Sequence, residues 1–169
     1  MTLMHRNDVH IRPAETSDAD GIITVKHAAV FKIGSEIYPP ELLASWSGHL
    51  DQLHIKKLED RVAQGSMQFF VALISKTVMG YGGLNLETGE IGGPYIRPDH
   101  GREGIGTQIL AKLMEEAHER TLPEVFAEVP PNVVSFFTKR GFESKGPSTK
   151  TLADGTSLST VRVEQVIAQ

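Results

Sequence analysis

Between positions 92 and 106 the chain reads GGPYIRPDHGREGIG. Five glycines and two prolines in so short a span bar any long regular element there and force two breaks. The first falls in the strand pattern GEIGGPYIRP (89–98), where Gly92, Gly93 and Pro94 occupy the middle. Glycines inside a strand mark a bulge or a close backbone approach, and Pro94 has no N–H to give a ladder. The second break, Gly101 to Gly106, lies directly against TQILAKLMEEAHERT. There Ile105, Ile109, Leu113 and Ala117, with Leu110 and Met114, form one helical stripe. The chain must therefore build a strand with an interrupted ladder, then a tight turn into a helix N-terminus. The first turn of that helix has amides without intrahelical partners and the positive end of the dipole, which together suit an anion. Glycine at 104 and 106 lets a bulky anion approach the backbone. A turn with no ligand is the other reading of the same residues.

Two better-known phosphate loops do not fit. A P-loop ends in Gly-Lys-Ser/Thr, whereas this run ends Ile-Gly-Thr. A dinucleotide fingerprint needs a third glycine at Ile109 and a place at the start of a parallel fold.

Around this segment the patterns alternate. VHIRPAE (9–15) reads as a strand, and Thr16 or Ser17 can cap the helix that follows. Residues 38–65 open with prolines and carry two amphipathic stretches, Leu42–Trp46 and Leu53–Val62. MQFFVALIS is apolar on both faces, as in a central strand, and turns at Ser75–Lys76 into KTVMGYGGLNLE. EVFAEVP is a strand. NVVSFFTKRGF is a short helix with Asn132 as N-cap, Gly141 just past its end and Phe142 folding back on Phe137. Two last strands flank a turn at Asp154–Gly155. The order β α α β β β α β α β β gives an α+β fold, one mixed, mostly antiparallel sheet flanked by helices.

The 169 residues suit one domain, with 40% hydrophobic and 22% charged residues and no cysteine. The absence of cysteine removes disulfides, thiolate zinc sites and cysteine nucleophiles. A net charge of −4 argues against a general nucleic-acid binder. No apolar run spans a bilayer, the N-terminus lacks the apolar core of a signal peptide, and the reading is a cytoplasmic protein with no membrane partner. The histidines show no H-x-x-x-H pair, so no metal is expected, and no G-x-S-x-G elbow is present.

The segment GGPYIRPDHGREGIGTQILAKLMEEA, the strand after it and NVVSFFTKRGF resemble the GNAT superfamily of acetyl-CoA-dependent N-acyltransferases. Ile96, Pro98, Gly104, Ile105, Gly106 and Thr107 carry the likeness, then Asn132, Phe136, Gly141 and Phe142. VHIRPAETSDADGI resembles the family's usual opening, and YPPELLASW resembles small bacterial members of uncertain substrate.

The resemblance implies one N-acetyltransferase domain over 1–169, with acceptor-side helices at about 14–66 and the acetyl-CoA-binding core at about 67–145. It implies a splayed central strand pair, Ile96's strand parting from Val125–Val129, with the pantetheine arm in the gap. The diphosphate is expected on the amides of Arg102, Glu103, Gly104, Ile105, Gly106 and Thr107. Further donor contacts are expected from Ile96, Arg97, Pro98, Asn132 and Phe137. Glu90, fourteen residues before Gly104, matches the place of a general-base glutamate, and the amide of Tyr95 or Ile96 is the expected oxyanion donor. Many relatives carry an acidic tyrosine where this chain has Phe137, so Tyr95 or Tyr81 is the candidate stand-in. The family's usual Gln or Arg is Gly101 here. Tyr38, Trp46, His49 and His54 are candidates for an amine pocket. The expected reaction is acetyl transfer from acetyl-CoA, as co-substrate, to a primary amine of a small molecule or peptide. The alternative is a non-catalytic acyl-CoA-binding or regulatory module. A homodimer is one expected state.

Overall fold

A computed structural model describes residues 8–100 and 104–167. β1 (His10–Pro13) enters a short 3-10 turn at Thr16–Asp18 and then α1 (Ala19–Gly34). The start of this segment is fastened by Asp18 rather than by Thr16 or Ser17. The Asp18 carboxylate accepts from the Glu15 amide at 2.7 Å and takes two hydrogen bonds from Arg12, at 2.7 and 3.1 Å. α2 (Pro40–Ser47) has proline at its first position, and α3 (Gln52–Gln64) is capped by Asp51, whose side chain accepts from the His54 amide.

β2 (Met67–Ile74), β3 (Thr77–Asn85) and β4 (Ile91–Ile96) follow, then α4 (Ile105–Glu119), β5 (Glu124–Val129), α5 (Val134–Thr138), β6 (Glu143–Thr151) and β7 (Ser157–Val166). All ladders are antiparallel, but they form two sheets rather than one. The first has the order β1-β2-β3-β4 and the second β5-β7-β6.

The two apolar faces of β2 explain its position. Phe69, Val71 and Leu73 pack with Ala19, Ile22 and Val25 of α1 and Leu58 of α3. Phe70 and Ala72 pack on the other side with Ile105, Ile109 and Leu113 of α4. The α4 stripe is sealed, and Ile109, Leu113 and Ala117 have no exposed surface. Among the described residues no helix is long and apolar enough to cross a membrane.

The short α5 ends as its sequence requires. The Phe142 amide donates to the Phe137 carbonyl at 3.1 Å, and the two rings meet edge to face at 5.0 Å. Asn132 does not cap this helix. It lies in the 3-10 turn Pro131–Val133, and its side-chain amide donates to the Ile33 carbonyl, tying α5's approach to the end of α1.

Candidate active site

Among the described residues one backbone bridge joins the two sheets. Glu90 and Phe126 form a parallel bridge, and the Phe126 amide donates to the Gly89 carbonyl at 3.1 Å. Gly89 has φ +83°, and a Cβ there would stand 2.5 Å from the Glu124 carbonyl oxygen. Only glycine allows so close an approach. Beyond this vertex β4 and β5 have no ladder between them, and a cleft opens. Ile91, Pro94 and Tyr95 line one wall, Glu128 and Val129 the other, and Trp46 and Lys150 complete it.

Strand geometry decides which backbone groups face this cleft. The Arg97 amide donates to Met79 of β3, and Tyr95 pairs with Tyr81. In an antiparallel ladder alternate residues point their N–H and C=O the same way. Arg97 and Tyr95 therefore face β3, and Ile96 between them turns its amide and carbonyl to the open edge. Of the two amides named as oxyanion donors, Ile96's turns to the open edge and Tyr95's turns to β3. The same alternation on β5, starting from Phe126, turns the backbone of Glu128 to the gap. The expected bulge lies just upstream, where Gly93 and Pro94 together oppose Gly82 of β3.

Glu90 sits at the vertex and is not a free carboxylate. Its Oε2 accepts from Lys150 Nζ of β6 at 2.8 Å, and both side chains keep about a third of their surface exposed. Glu128, more deeply set, accepts from the Thr160 hydroxyl at 3.1 Å and from Arg162 at 3.3 Å. The Tyr95 phenol oxygen accepts from Trp46 Nε1 at 3.3 Å, and burial pushes its pKa up to about 12. Its proton stays on oxygen at any physiological pH, so Tyr95 offers a hydrogen bond rather than a transferable proton. Burial also raises Tyr81 well above 10. Tyr38 donates to the Ser159 carbonyl at 2.6 Å, which leaves Trp46 as the aromatic of α2 on the cleft. His49 and His54 meet each other at 5.2 Å on the α2–α3 corner, with His54 beside Asp51.

The start of α4 lies beside the open edge of β4, where a Cβ built on Gly106 would stand 3.8 Å from the Ile96 side chain. Gly104 is its N-cap, in the left-handed region at φ +78°, and no side chain caps it. The first intrahelical bond runs from Gln108 to the Gly104 carbonyl. That leaves the amides of Ile105, Gly106 and Thr107 as first-turn donors. A Cβ built on Gly104 would meet nothing within 4 Å, and one on Gly106 would touch the Phe136 ring at 3.4 Å. Gly101, Arg102 and Glu103 lie outside the described residues.

The side chains of three residues expected at the donor are engaged within the protein. Ile105 is buried, so only its amide can serve. The Thr107 hydroxyl already accepts two hydrogen bonds from Arg140, at 3.1 and 2.6 Å. Phe137 has no exposed surface and packs against Phe136 and Phe142 in the core, so it touches no ligand. Pro98 opens the 3-10 turn Pro98–His100 at the end of β4.

The family profile described as "Acetyltransferase (GNAT) domain" matches residues 36–160. No curated protein matches the sequence. Among solved structures, a GCN5-related N-acetyltransferase from Rhodopseudomonas palustris superposes with a TM-score of 0.82 at 21% identity, over 98% of this chain and 99% of that one. The PaiA N-acetyltransferase of Thermoplasma acidophilum, in complex with coenzyme A, gives 0.76 at 19%, over 94% and 98%. The YncA protein of Salmonella typhimurium, with its cofactor acetyl-CoA, gives 0.71 at 18%, over 96% of each chain. At these identities the superpositions speak for the fold.

Proposed function

The chain belongs to the GNAT acetyltransferase family, and from that premise we propose how its own residues move an acetyl group from acetyl-CoA to an amine. The observation that carries the reading is continuity. The cleft between β4 and β5 opens next to the Glu90–Phe126 bridge, and Ile96 at the open edge of β4 lies against the first turn of α4, 3.8 Å from a Cβ built on Gly106.

The residues fit the donor along its length. A diphosphate suits the amides of Ile105, Gly106 and Thr107, where Gly104 and Gly106 leave the backbone open. An amide-bearing arm suits strand edges that still have N–H and C=O to share. Bound acetyl-CoA supplies a thioester whose acyl carbon takes the amine and whose sulfur leaves as thiolate.

The chain's part is to prepare the amine and steady the charge. A lysine-like amine is mostly protonated at neutral pH, so a base must hold its proton as the new N–C bond forms. Glu90 takes this role in the proposal, directly or through one water, with its carboxylate held by Lys150. The Ile96 amide faces the gap and meets the charge that develops on the acyl oxygen. The Tyr95 hydroxyl still has its hydrogen to donate and can steady the departing sulfur. A thiol of pKa near 8.5 leaves without a strong acid, so Phe137 in the tyrosine position does not block turnover. The helices of 14–66, with Trp46 on the cleft, form the side from which the amine enters.

Free-thiol release from acetyl-CoA over a panel of small and peptidic amines tests this. Glu90→Gln should lower kcat about 10²- to 10⁴-fold and leave the Kd for CoA unchanged. An unaltered kcat removes Glu90 from the mechanism.

A further inference from the structure

Arg140 follows α5, and its guanidinium is held by three groups on two residues. Nε and Nη2 both donate to the Thr107 hydroxyl, Nη1 donates to the Phe136 carbonyl at 2.7 Å, and Cζ lies over the Phe136 ring, 4.1 Å from its centroid. Arg12, Arg120 and Arg162 each lie against a carboxylate. Among the described residues Arg61 and Arg97 have none, and neither does Arg140.

Its location makes this costly. Thr107 is in the first turn of α4, the positive end of the helix dipole, and the Phe136 ring beneath the guanidinium also covers Gly106. A fixed cation beside a positive helix end is unfavourable unless an anion sits between them. A guanidinium has five N–H groups. Three are used, so two remain, on a rigid group tied to the Thr107 hydroxyl in that first turn.

We propose that Arg140 is a donor-binding residue that grips the diphosphate of acetyl-CoA from the α5 side, opposite the first-turn amides of α4. This rests on the acetyl-CoA reading of the cleft. The glycines at 101, 104 and 106 bring no side chain to that anion, and Arg140 supplies the charge they lack from a different element. The bond to Thr107 orients the guanidinium, so the hydroxyl acts through Arg140.

A ladder of donors tests it, with Kd measured by calorimetry and kcat/KM by thiol release. Arg140→Gln should raise Kd about 10- to 100-fold for CoA, the span expected for losing a charge-assisted contact. Dephospho-CoA, which keeps the diphosphate but lacks the 3′-phosphate, should show the same loss. The wild-type preference for acetyl-CoA over S-acetylpantetheine, which has no phosphate, should shrink by the same factor. Arg140→Lys should restore part of it, and a melting curve for each variant reports the fold separately. An equal loss with acetylpantetheine makes Arg140 a structural tether, and a loss confined to CoA assigns it to the 3′-phosphate. Either result, or no loss at all, overturns the proposal. A wild-type chain that binds CoA yet acetylates no amine sinks the role of Glu90 and leaves that of Arg140 standing.

Discussion

Lys26 should be a residue whose removal strengthens the fold. It lies on α1 one turn from Ile22 and one turn from Val30, both buried. Among the described residues no carboxylate pairs with it. Burial lowers its pKa from 10.5 to about 8, with the charges of Arg61 and Lys150 adding to the effect. The gap, 10.5 − 8 = 2.5, at about 1.4 kcal/mol for each tenfold, sets a ceiling of about 3 kcal/mol. Lys26 keeps some contact with water, so about 1–3 kcal/mol is the expected range. The folded pKa is the lower one, so between about pH 8 and 10.5 the unfolded chain binds the proton more readily. Stability therefore rises with pH across that window, and the full cost is present below it. Lys26→Met removes the cost. Urea unfolding at pH 7 should show the variant more stable by about 1–3 kcal/mol, and at pH 10 the gain should fall by more than half. Other lysines and tyrosines titrate in both proteins and cancel in the difference. The extra apolar contact of methionine does not depend on pH, so the slope is the diagnostic quantity. A variant less stable than wild type at pH 7, or a gain identical at both pH values, would refute the argument.

Two other outcomes follow from the geometry. Gly106→Val should weaken CoA binding at least about 10-fold with little change in melting temperature, measured by calorimetry and a thermal scan. Its Cβ meets only ordinary contact with Phe136, while its methyl groups crowd the diphosphate's approach. Gly104 is a poorer site for that test, because φ +78° strains any branched residue. Arg12→Met should cost about 2–4 kcal/mol in urea unfolding at pH 7, since it strands the buried Asp18 carboxylate. Burial alone would raise the Asp18 pKa, but hydrogen bonds from Arg12 and the Glu15 amide outweigh it and hold it below 3.8. Wild-type stability should thus fall as pH drops below about 4, and the variant should show a weaker acid dependence.

Local chemistry was readable wherever neighbours along the chain decide it. The α4 stripe, the Ser75–Lys76 turn with both residues at positive φ, the Phe137–Phe142 helix ending and the bulge at Gly93–Pro94 all follow from short patterns. The division into two sheets was readable only through family likeness, because a missing ladder leaves no mark in either strand. Partnerships across long separations were hidden. Lys150 reaches Glu90 sixty residues away, Arg140 reaches Thr107 across thirty-three, and Asn132 finds Ile33 instead of capping its own helix. Phe137 was misplaced for a related reason. A motif position names a residue's place along the chain, but the tight α5 turn aims its ring inward.

The meeting point of Gly89 and Glu90 with Glu124 and Phe126 acts as the spine of a half-opened book. Small changes in the angle between the leaves displace atoms in proportion to their distance from that spine. The carboxylate of Glu90 would therefore shift least, while the pages near Ile96 and the start of α4 swing furthest. Cofactors of differing girth could then be admitted at the fore-edge without displacing Glu90 at the binding. Any side chain at position 89 would wedge the spine itself, and that single site should tolerate exchange less than whole stretches of either page.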